Sequence, residues 1–364
     1  MRVLQICTAL DGGGVDRYLF NYCTRIPDIA FDFAVIDAGK KGILESELEK
    51  QGTVYRVPRL KNGICKNYAA LRTIMSQTHY DAVHVHSGYM GAIALICAKR
   101  CAIKVRIVHS HGADQPQTVL QAILRHVLTF VTKRFATALA ACGEDAARWM
   151  WGARDLRCGR VSLQNNAIDT TQFQFSPVQR QQMRQALQVS EDTLLVGHIG
   201  RLCEQKNQLR LLDIFHLLHQ QHPQSRLLLI GRGGQEQEIC QKIDRLGLHD
   251  CVQLLGVRED VAMLLNALDV MIFPSQFEGF PVALVETQCN GLPVVCSDNI
   301  TASVKMTESI SFLSLRDTDQ TWVDAALEAA EHRRFDGAEQ LCRCGYDLNT
   351  EAQKLKQYYF QQIQ

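Results

Sequence analysis

The stretch Asp269–Pro293, DVMIFPSQFEGFPVALVETQCNGLP, leaves the chain few architectures. Its opening, Asp269-Val270-Met271-Ile272-Phe273, is an apolar run without polar alternation, the pattern of a strand covered on both faces in a parallel sheet. Pro281 suits the first helical position, where its missing N–H costs nothing, and Gly291 suits a helix C-terminal cap. A strand, a short turn and a helix N-terminus at the carboxyl edge of a parallel sheet is where open α/β proteins bind ligands. Glu278 lies in the turn, and Glu286, eight residues on, in the second helical turn. Free amides around Phe280 and Val282 suit anionic oxygens, and two carboxylates suit hydroxyls. Together they point to a sugar attached to a phosphate, against the plain alternative of two surface glutamates beside a buried helix.

The rest of the chain repeats this grammar. Strands are predicted at Arg2–Cys7, 31–36, 53–57, 82–86, 105–109, 138–141 and 160–163, with helices near 15–25, 43–51, 67–76, 89–101 and 117–137. Such alternation predicts a parallel sheet with right-handed crossovers. The turn Gly12-Gly13-Gly14 after the first strand permits close backbone approach by a phosphate or an acceptor. It is not the dinucleotide fingerprint, because position 17 is Arg17, so NAD binding is disfavoured. The polar stretch 174–192 leads into a fresh strand at Leu194–Gly200, and the domain boundary is placed there. That gives an N-terminal domain 1–185 and a C-terminal domain 186–347, with a last helix of about 348–364 crossing back onto the first. Two such halves form a cleft, the usual place for a ligand.

At 364 residues two domains are expected, and a net charge of +1 asks for neither nucleic acid nor a strongly acidic partner. The 14 cysteines are dispersed without CxxC pairs, as small core hydrophobes in a reducing compartment are. The first strand starts at Arg2, leaving no room for a signal peptide, and no apolar run approaches the ~20 residues of a membrane span. A cytoplasmic protein is expected. Residues 117–137 set Arg125, Lys133 and Arg134 beside Leu, Val and Phe. They could rest on anionic lipids, but an ordinary amphipathic helix with its charges in water is the favoured reading.

Further chemistry lies in Gly200-Arg201-Leu202-Cys203-Glu204-Gln205-Lys206-Asn207. A cation at a strand end and another five residues on can converge on one diphosphate, Arg gripping bidentately and Lys acting as a point charge. They could replace a metal in stabilising a leaving diphosphate. Two histidine pairs, His84/His86 and His109/His111, raise a zinc site, but no carboxylate cluster accompanies them. Asp317 and Asp319 raise a divalent-metal site, and N-terminal capping of a helix near Trp322 is the simpler account.

These motifs resemble the GT-B glycosyltransferases of family 4, the bacterial capsule, exopolysaccharide and lipopolysaccharide sugar transferases in particular. The resemblance rests on Gly12-Gly13-Gly14, His109-Ser110-His111, Asn166-Ala167-Ile168-Asp169, Gly200-Arg201 with Lys206-Asn207, Leu255-Gly256, and Glu278-Gly279-Phe280-Pro281 through Glu286. It implies two Rossmann-like, doubly wound parallel-sheet domains facing a central cleft. It also implies a retaining, metal-independent hexosyl transfer from a nucleotide-diphosphate sugar, UDP-linked in the favoured case, to a lipid-linked or polysaccharide acceptor, with possible peripheral contact to the inner membrane. No cofactor beyond the donor is implied. Glu278 would bind donor-sugar hydroxyls with the amides of Gly279 and Phe280, and Glu286 the ribose. Arg201 and Lys206 would neutralise the diphosphate, assisted by the Pro281–Val282 helix start and the Gly13-Gly14 turn. Gly256-Val257-Arg258 would lie along the base, and His111 at the sugar. The leaving phosphate oxygen would itself accept the acceptor's proton. Gly143 before Glu144, where serine is usual, and Ala167, where glycine is usual, depart from the pattern on the acceptor side. An epimerase or hydrolase of the same fold, or a silent nucleotide-sugar-binding partner in a polysaccharide assembly complex, are the alternatives.

Overall fold

The computed structural model describes residues 1–8, 10, 13–36, 41–112, 118–332 and 334–363. The chain divides into two compact units, Met1–Ala167 with Leu348–Gln364, and Ile168–Asp347. The first unit holds a seven-stranded sheet built from β1 (Arg2–Cys7), β2 (Ala30–Ile36), β3 (Val54–Val57), β4 (Ala82–Val85), β5 (Val105–Ser110), β6 (Ala138–Ala141) and β7 (Val161–Leu163), in the order β3-β2-β1-β4-β5-β6-β7. The second unit holds a six-stranded sheet of β8 (Leu194–Ile199), β9 (Ser225–Ile230), β10 (Val252–Gly256), β11 (Val270–Phe273), β12 (Val294–Ser297) and β13 (Ile310–Leu313), ordered β10-β9-β8-β11-β12-β13. Every pairing within both sheets is parallel.

Strands such as Ala82–Val85, Val270–Phe273 and Val294–Ser297 are buried at every residue, because helices cover both sheet faces and leave none for water. Both orders reverse direction once, between β1 and β4 and between β8 and β11, so each unit is doubly wound with one switch point. At that point the connections diverge and leave a crevice beyond the strand ends.

The division between units falls at Ala167/Ile168, earlier than the boundary read from the polar stretch 174–192. That stretch contains the helix Pro177–Ala186, started by Ser176, whose side chain accepts from the Gln179 amide. Met183 of this helix joins Phe173, Val189 and Leu268 in the second unit's core. The polar composition misleads because the helix packs through arginine. Arg184 is 1% exposed, and its guanidinium donates to Ala267 O (2.9 Å), Ser190 O (2.5 Å) and Thr193 O (2.6 Å), with Asp269 Oδ2 at 3.2 Å.

The helix Leu348–Ile363 belongs to the first unit, where Leu348, Ala352, Leu355 and Tyr359 share a core with Val3, Leu19, Phe31 and Ile107.

Candidate functional site

In the second unit the β8 and β11 ends flank the switch point, and their loops carry the charged residues. β8 runs out through Gly200 and Arg201 into the short turn Glu204–Lys206 and the helix Gln208–Gln221. β11 runs out through Pro274 and Ser275 to Glu278 and the helix Val282–Cys289. Polar bonds tie the two loops together. The Gln276 amide donates to Gln205 O (2.8 Å), Gln205 Nε2 to Phe277 O (2.9 Å), and Asn207 Nδ2 to Pro274 O (3.1 Å). Asn207 takes a left-handed conformation (φ 58°), which asparagine tolerates better than most residues.

This brings Lys206 and Glu278 together. Lys206 Nζ stands 2.6 Å from Glu278 Oε1, with only 14% and 7% of the two side chains exposed. The ammonium also lies 4.7 Å from the Phe273 ring centre. It approaches Oε1 off the hydrogen-bonding direction, so this oxygen is ion-paired yet has no aligned donor. Gln205 Nε2 reaches the other oxygen at 3.4 Å. Arg201, by contrast, is exposed, and among the described residues its guanidinium has no ion pair or hydrogen bond. A fixed lysine and an unengaged arginine at one strand end can bind phosphate oxygens.

Beneath this loop His198 donates from Nδ1 to Ile272 O at 3.0 Å and accepts at Nε2 from Gln208 Nε2 (3.2 Å). Gln208 also donates to Arg201 O (2.9 Å). Burial pushes the His198 pKa down to about 4, so the ring is neutral and this bond pattern is fixed. The β9 turn packs alongside. A methyl on Gly231 (φ 140°) would fall 2.0 Å from Gly200 O, and one on Gly233 2.0 Å from Leu202 O, so only glycine fits at either place.

Gly256 ends β10 in a left-handed conformation (φ 66°), with the Arg232 guanidinium beside it. Val257 is exposed. Arg258 is committed to Asp260 (Nε to Oδ1 2.7 Å, Nη2 to Oδ2 2.5 Å), and each side chain strengthens the other's charged form. Pro281 sits one residue before the first helical turn and Gly291 one past the C-cap, with φ 67°. The amides at the start of this helix, Val282 among them, have no intrahelical partner. Glu286 lies half-buried in its second turn, and Phe280 stacks on Tyr346.

In the first unit Gly13 precedes the helix Gly14–Arg25, and its amide donates to Asp16 Oδ2 at 3.0 Å. Gly13 has φ −70°, and a methyl on Gly14 would meet nothing within 4 Å, so the fold itself does not demand glycine there. Gly12 lies outside the described residues.

The histidine pairs converge in the same unit. Gln5, His84, His86, His109 and His111 cluster beside Tyr18 and Tyr359. Gln5 fixes the protons. Its Oε1 accepts from His86 Nε2 (2.7 Å), so His86 Nδ1 is bare and accepts from His111 Nε2 (2.8 Å). His111 Nδ1 is then an acceptor, buried and unpartnered among the described residues. Gln5 Nε2 donates to the Tyr359 hydroxyl (3.0 Å), which donates to His84 Nδ1 (2.6 Å). Burial holds all four imidazoles neutral, with His84 and His111 pushed down to about 3. Nitrogens of His84, His86 and His109 lie within 4.8 Å of one another. His84 and His109 are fully buried, however, and the three carry no carboxylate among them. A hydrolytic metal centre needs an open coordination position that this core does not offer.

The sequence brought out Glu278, Lys206, Arg201 and the adjoining Asn207, but not Gln205, Gln208 and His198, which hold the loops with it. The signal for Gln205 was its place beside Lys206 past the strand end. Asp317 and Asp319 stand apart, and neither is the helix cap. Thr318 caps Asp319–Glu331, Asp317 Oδ2 closes a turn with the Ser314 amide (2.9 Å), and Asp319 Oδ1 takes Arg210 Nε (3.3 Å).

Two doubly wound parallel-sheet units in one chain are the GT-B architecture. HepE of Anabaena, solved in complex with UDP-glucose, superposes with a TM-score of 0.80 at 21% identity over 98% of this chain and 99% of its own, a likeness of fold. Residues 12–172 match the model described as Glycosyltransferase Family 4, and residues 179–309 that described as Glycosyl transferases group 1. EpsF of Bacillus subtilis (strain 168), named as a glycosyltransferase, is 29% identical over 98% of this chain and 96% of its own. The Escherichia coli UDP-Gal:alpha-D-GlcNAc-diphosphoundecaprenol alpha-1,3-galactosyltransferase is 23% identical over 96% and 94%. The chain belongs to the GT-B glycosyltransferases of family 4. Among the described residues no helix is long and apolar enough to cross a membrane.

Proposed function

We propose that this glycosyltransferase moves a sugar from a UDP-sugar to a lipid-linked or saccharide acceptor in surface-polysaccharide assembly, in the cytoplasm and with retention of configuration. The observation that carries the reading is the Lys206–Glu278 pair beside the unengaged Arg201 at the β8–β11 switch point. Cations suited to a diphosphate beside a carboxylate suited to sugar hydroxyls support this reading. The E. coli relative's name gives a UDP-sugar donor and a lipid-diphosphate acceptor, and HepE was solved with UDP-glucose. Both favour UDP over GDP or ADP.

In this reading Arg201 and Lys206 stabilise the leaving diphosphate, so that no metal ion is required. The amides at Gly279, Phe280 and Val282 add donors to it. Glu278 holds sugar hydroxyls, Glu286 the ribose, and Gly256-Val257-Arg258 borders the base. His111 Nδ1 accepts from a sugar hydroxyl, and the departing phosphate oxygen takes the acceptor's proton.

The test is calorimetric titration with UDP, GDP and ADP in excess EDTA, wild type beside Arg201→Ala. Selective UDP binding weakened by the substitution is expected. Binding that requires a restored divalent ion would overturn the metal-free reading, and no nucleotide binding at all would overturn the site.

A further inference from the structure

The turn that leaves β9, Gly231-Arg232-Gly233-Gly234, sets one side chain among glycines on a pinned backbone. The Gly231 amide donates to Gly256 O (2.8 Å), the Leu202 amide to Arg232 O (3.1 Å) and the Gln235 amide to Leu202 O (3.1 Å). The turn is therefore bonded to the β10 end on one side and to the β8 loop on the other. Gly231 and Gly233 press on Gly200 O and Leu202 O too closely for any larger residue. Arg232 is thus the functional group of this turn, and its backbone is ordered before any ligand arrives.

Its guanidinium is exposed and, among the described residues, has no ion pair and no hydrogen bond. A methyl built on Gly256 would lie 3.3 Å from Arg232 Nε, 3.5 Å from Nη2 and 3.8 Å from Cζ. The Nε–Nη2 edge, a pair of parallel donors, is therefore the edge turned to the end of β10. Arg258, the other arginine of this region, is already engaged, giving Nε and Nη2 to the two oxygens of Asp260.

The strand order β10-β9-β8-β11 says which part of a nucleotide this fork would meet. The diphosphate is assigned to the β8 and β11 ends, and the ribose to Glu286 on the helix after β11. β9 stands two strand spacings from β11, about 10 Å. A nucleotide held at its phosphates and ribose reaches β9 and β10 with the edge of the base farthest from the sugar. In uracil that edge carries the O4 carbonyl, an acceptor, and in cytosine an amine, a donor. A guanidinium only donates, so it bonds the carbonyl and meets the amine donor to donor.

We propose, resting on the UDP-sugar reading above, that Arg232 is a specificity residue for the donor. It selects a base with a carbonyl at the distal edge, donating from Nε and Nη2 to uracil O4. The fork is indifferent between uracil O4 and guanine O6, and its selection is against bases that present an amine there.

The test is calorimetric titration of the full chain with UDP and CDP, wild type beside Arg232→Ala and Arg232→Lys. The two nucleotides share diphosphate and ribose, so the ratio of their affinities isolates the base. Wild type is expected to bind UDP about ten-fold more tightly than CDP. Arg232→Ala is expected to lose about ten-fold for UDP and less than about two-fold for CDP, closing the ratio while the thermal transition is kept. Arg232→Lys, a point charge without the fork, is expected to fall between them, and carries the comparison if the alanine variant fails to fold. Equal losses for UDP and CDP would assign Arg232 to the diphosphate and overturn the proposal while the donor site stands. A ratio unchanged by the substitutions, or a wild type without preference for UDP, overturns it as well. Absence of wild-type binding to either nucleotide overturns the donor-site reading and this proposal together.

Discussion

Lys206 Nζ and Glu278 Oε1 face each other at 2.6 Å across the loops that leave β8 and β11. Each is the other's counter-ion in a largely dry setting, so removing one strands the other. Lys206→Met or Glu278→Gln alone is expected to destabilise the second unit by about 2–3 kcal/mol, discounted from a fully buried pair for the remaining exposure. The double variant is expected to recover much of that loss, because no lone charge remains. Urea unfolding of the four proteins measures the coupling. Strict additivity would show that the pair is not energetically joined.

The two glutamates are expected to separate binding from transfer. Glu286→Ala should weaken UDP binding, whereas Glu278→Ala should leave UDP binding nearly intact and lower sugar transfer, each by about 2–4 kcal/mol. Calorimetry with UDP beside turnover with a UDP-sugar checks both. Unchanged kinetics in both variants would sink the assignment.

Gln5 sets the proton on His86 and, through it, on His111. Gln5→Leu is expected to free the His111 tautomer and cut kcat about ten-fold while UDP affinity holds, since nucleotide contacts are assigned to the other unit. Tyr359→Phe leaves Gln5 Nε2 and His84 Nδ1 without their hydroxyl partner, and should cost about 1–3 kcal/mol in stability. NMR of labelled imidazoles reads the tautomers directly. An unchanged His111 tautomer in Gln5→Leu would refute the relay.

Acid should act unequally on the two units. His84, His86, His109 and His111 in the first, and His198 in the second, have folded pKa values depressed by burial from an ordinary 6.5. Above pH 6.5 these rings are neutral folded or unfolded, so their stabilisation is fully present. As pH falls below 6.5 only the unfolded chain takes protons, and stability is lost down to the folded values, about 4 for His198 and about 3 for His84 and His111. Each ring costs up to about 1.4 kcal/mol per pH unit in that window. Depressed carboxylates such as Asp32 and Asp155 act only below their ordinary 3.8. Calorimetric scans from pH 7.5 to 5 should show the first unit's transition falling faster, and parallel shifts would contradict the assignment.

What sequence could disclose here followed periodicity and spacing. Val270–Phe273 and its helix, the strand alternation of both units, and the order Arg201, Lys206, Glu278, Glu286 were legible because each follows from local chemistry. The helix Pro177–Ala186 went unread inside the polar stretch that set the domain boundary, because a buried arginine bound to carbonyls has the composition of surface. Val119–Phe135 was read with its charges in water, which holds for Arg134, but Lys133 turns to Trp151 O and Asp155 while Ile123, Val127 and Phe130 are exposed, because periodicity finds an apolar face but not which way it turns. Gln5 gave no signal, since its partners come from the residue just past β4 and from a helix more than 350 residues away.

That last separation has a consequence for how the protein is made. Leu348, Leu355 and Tyr359 fill the core of the unit that holds residues 1–167, so a nascent chain halted anywhere before them has an N-terminal sheet with one wall missing. The second unit, contiguous from Ile168 to Asp347, is complete first even though its synthesis starts later. Order of emergence from the ribosome and order of completion are thus inverted, and the first unit must wait, partly open, for the helix Leu348–Ile363.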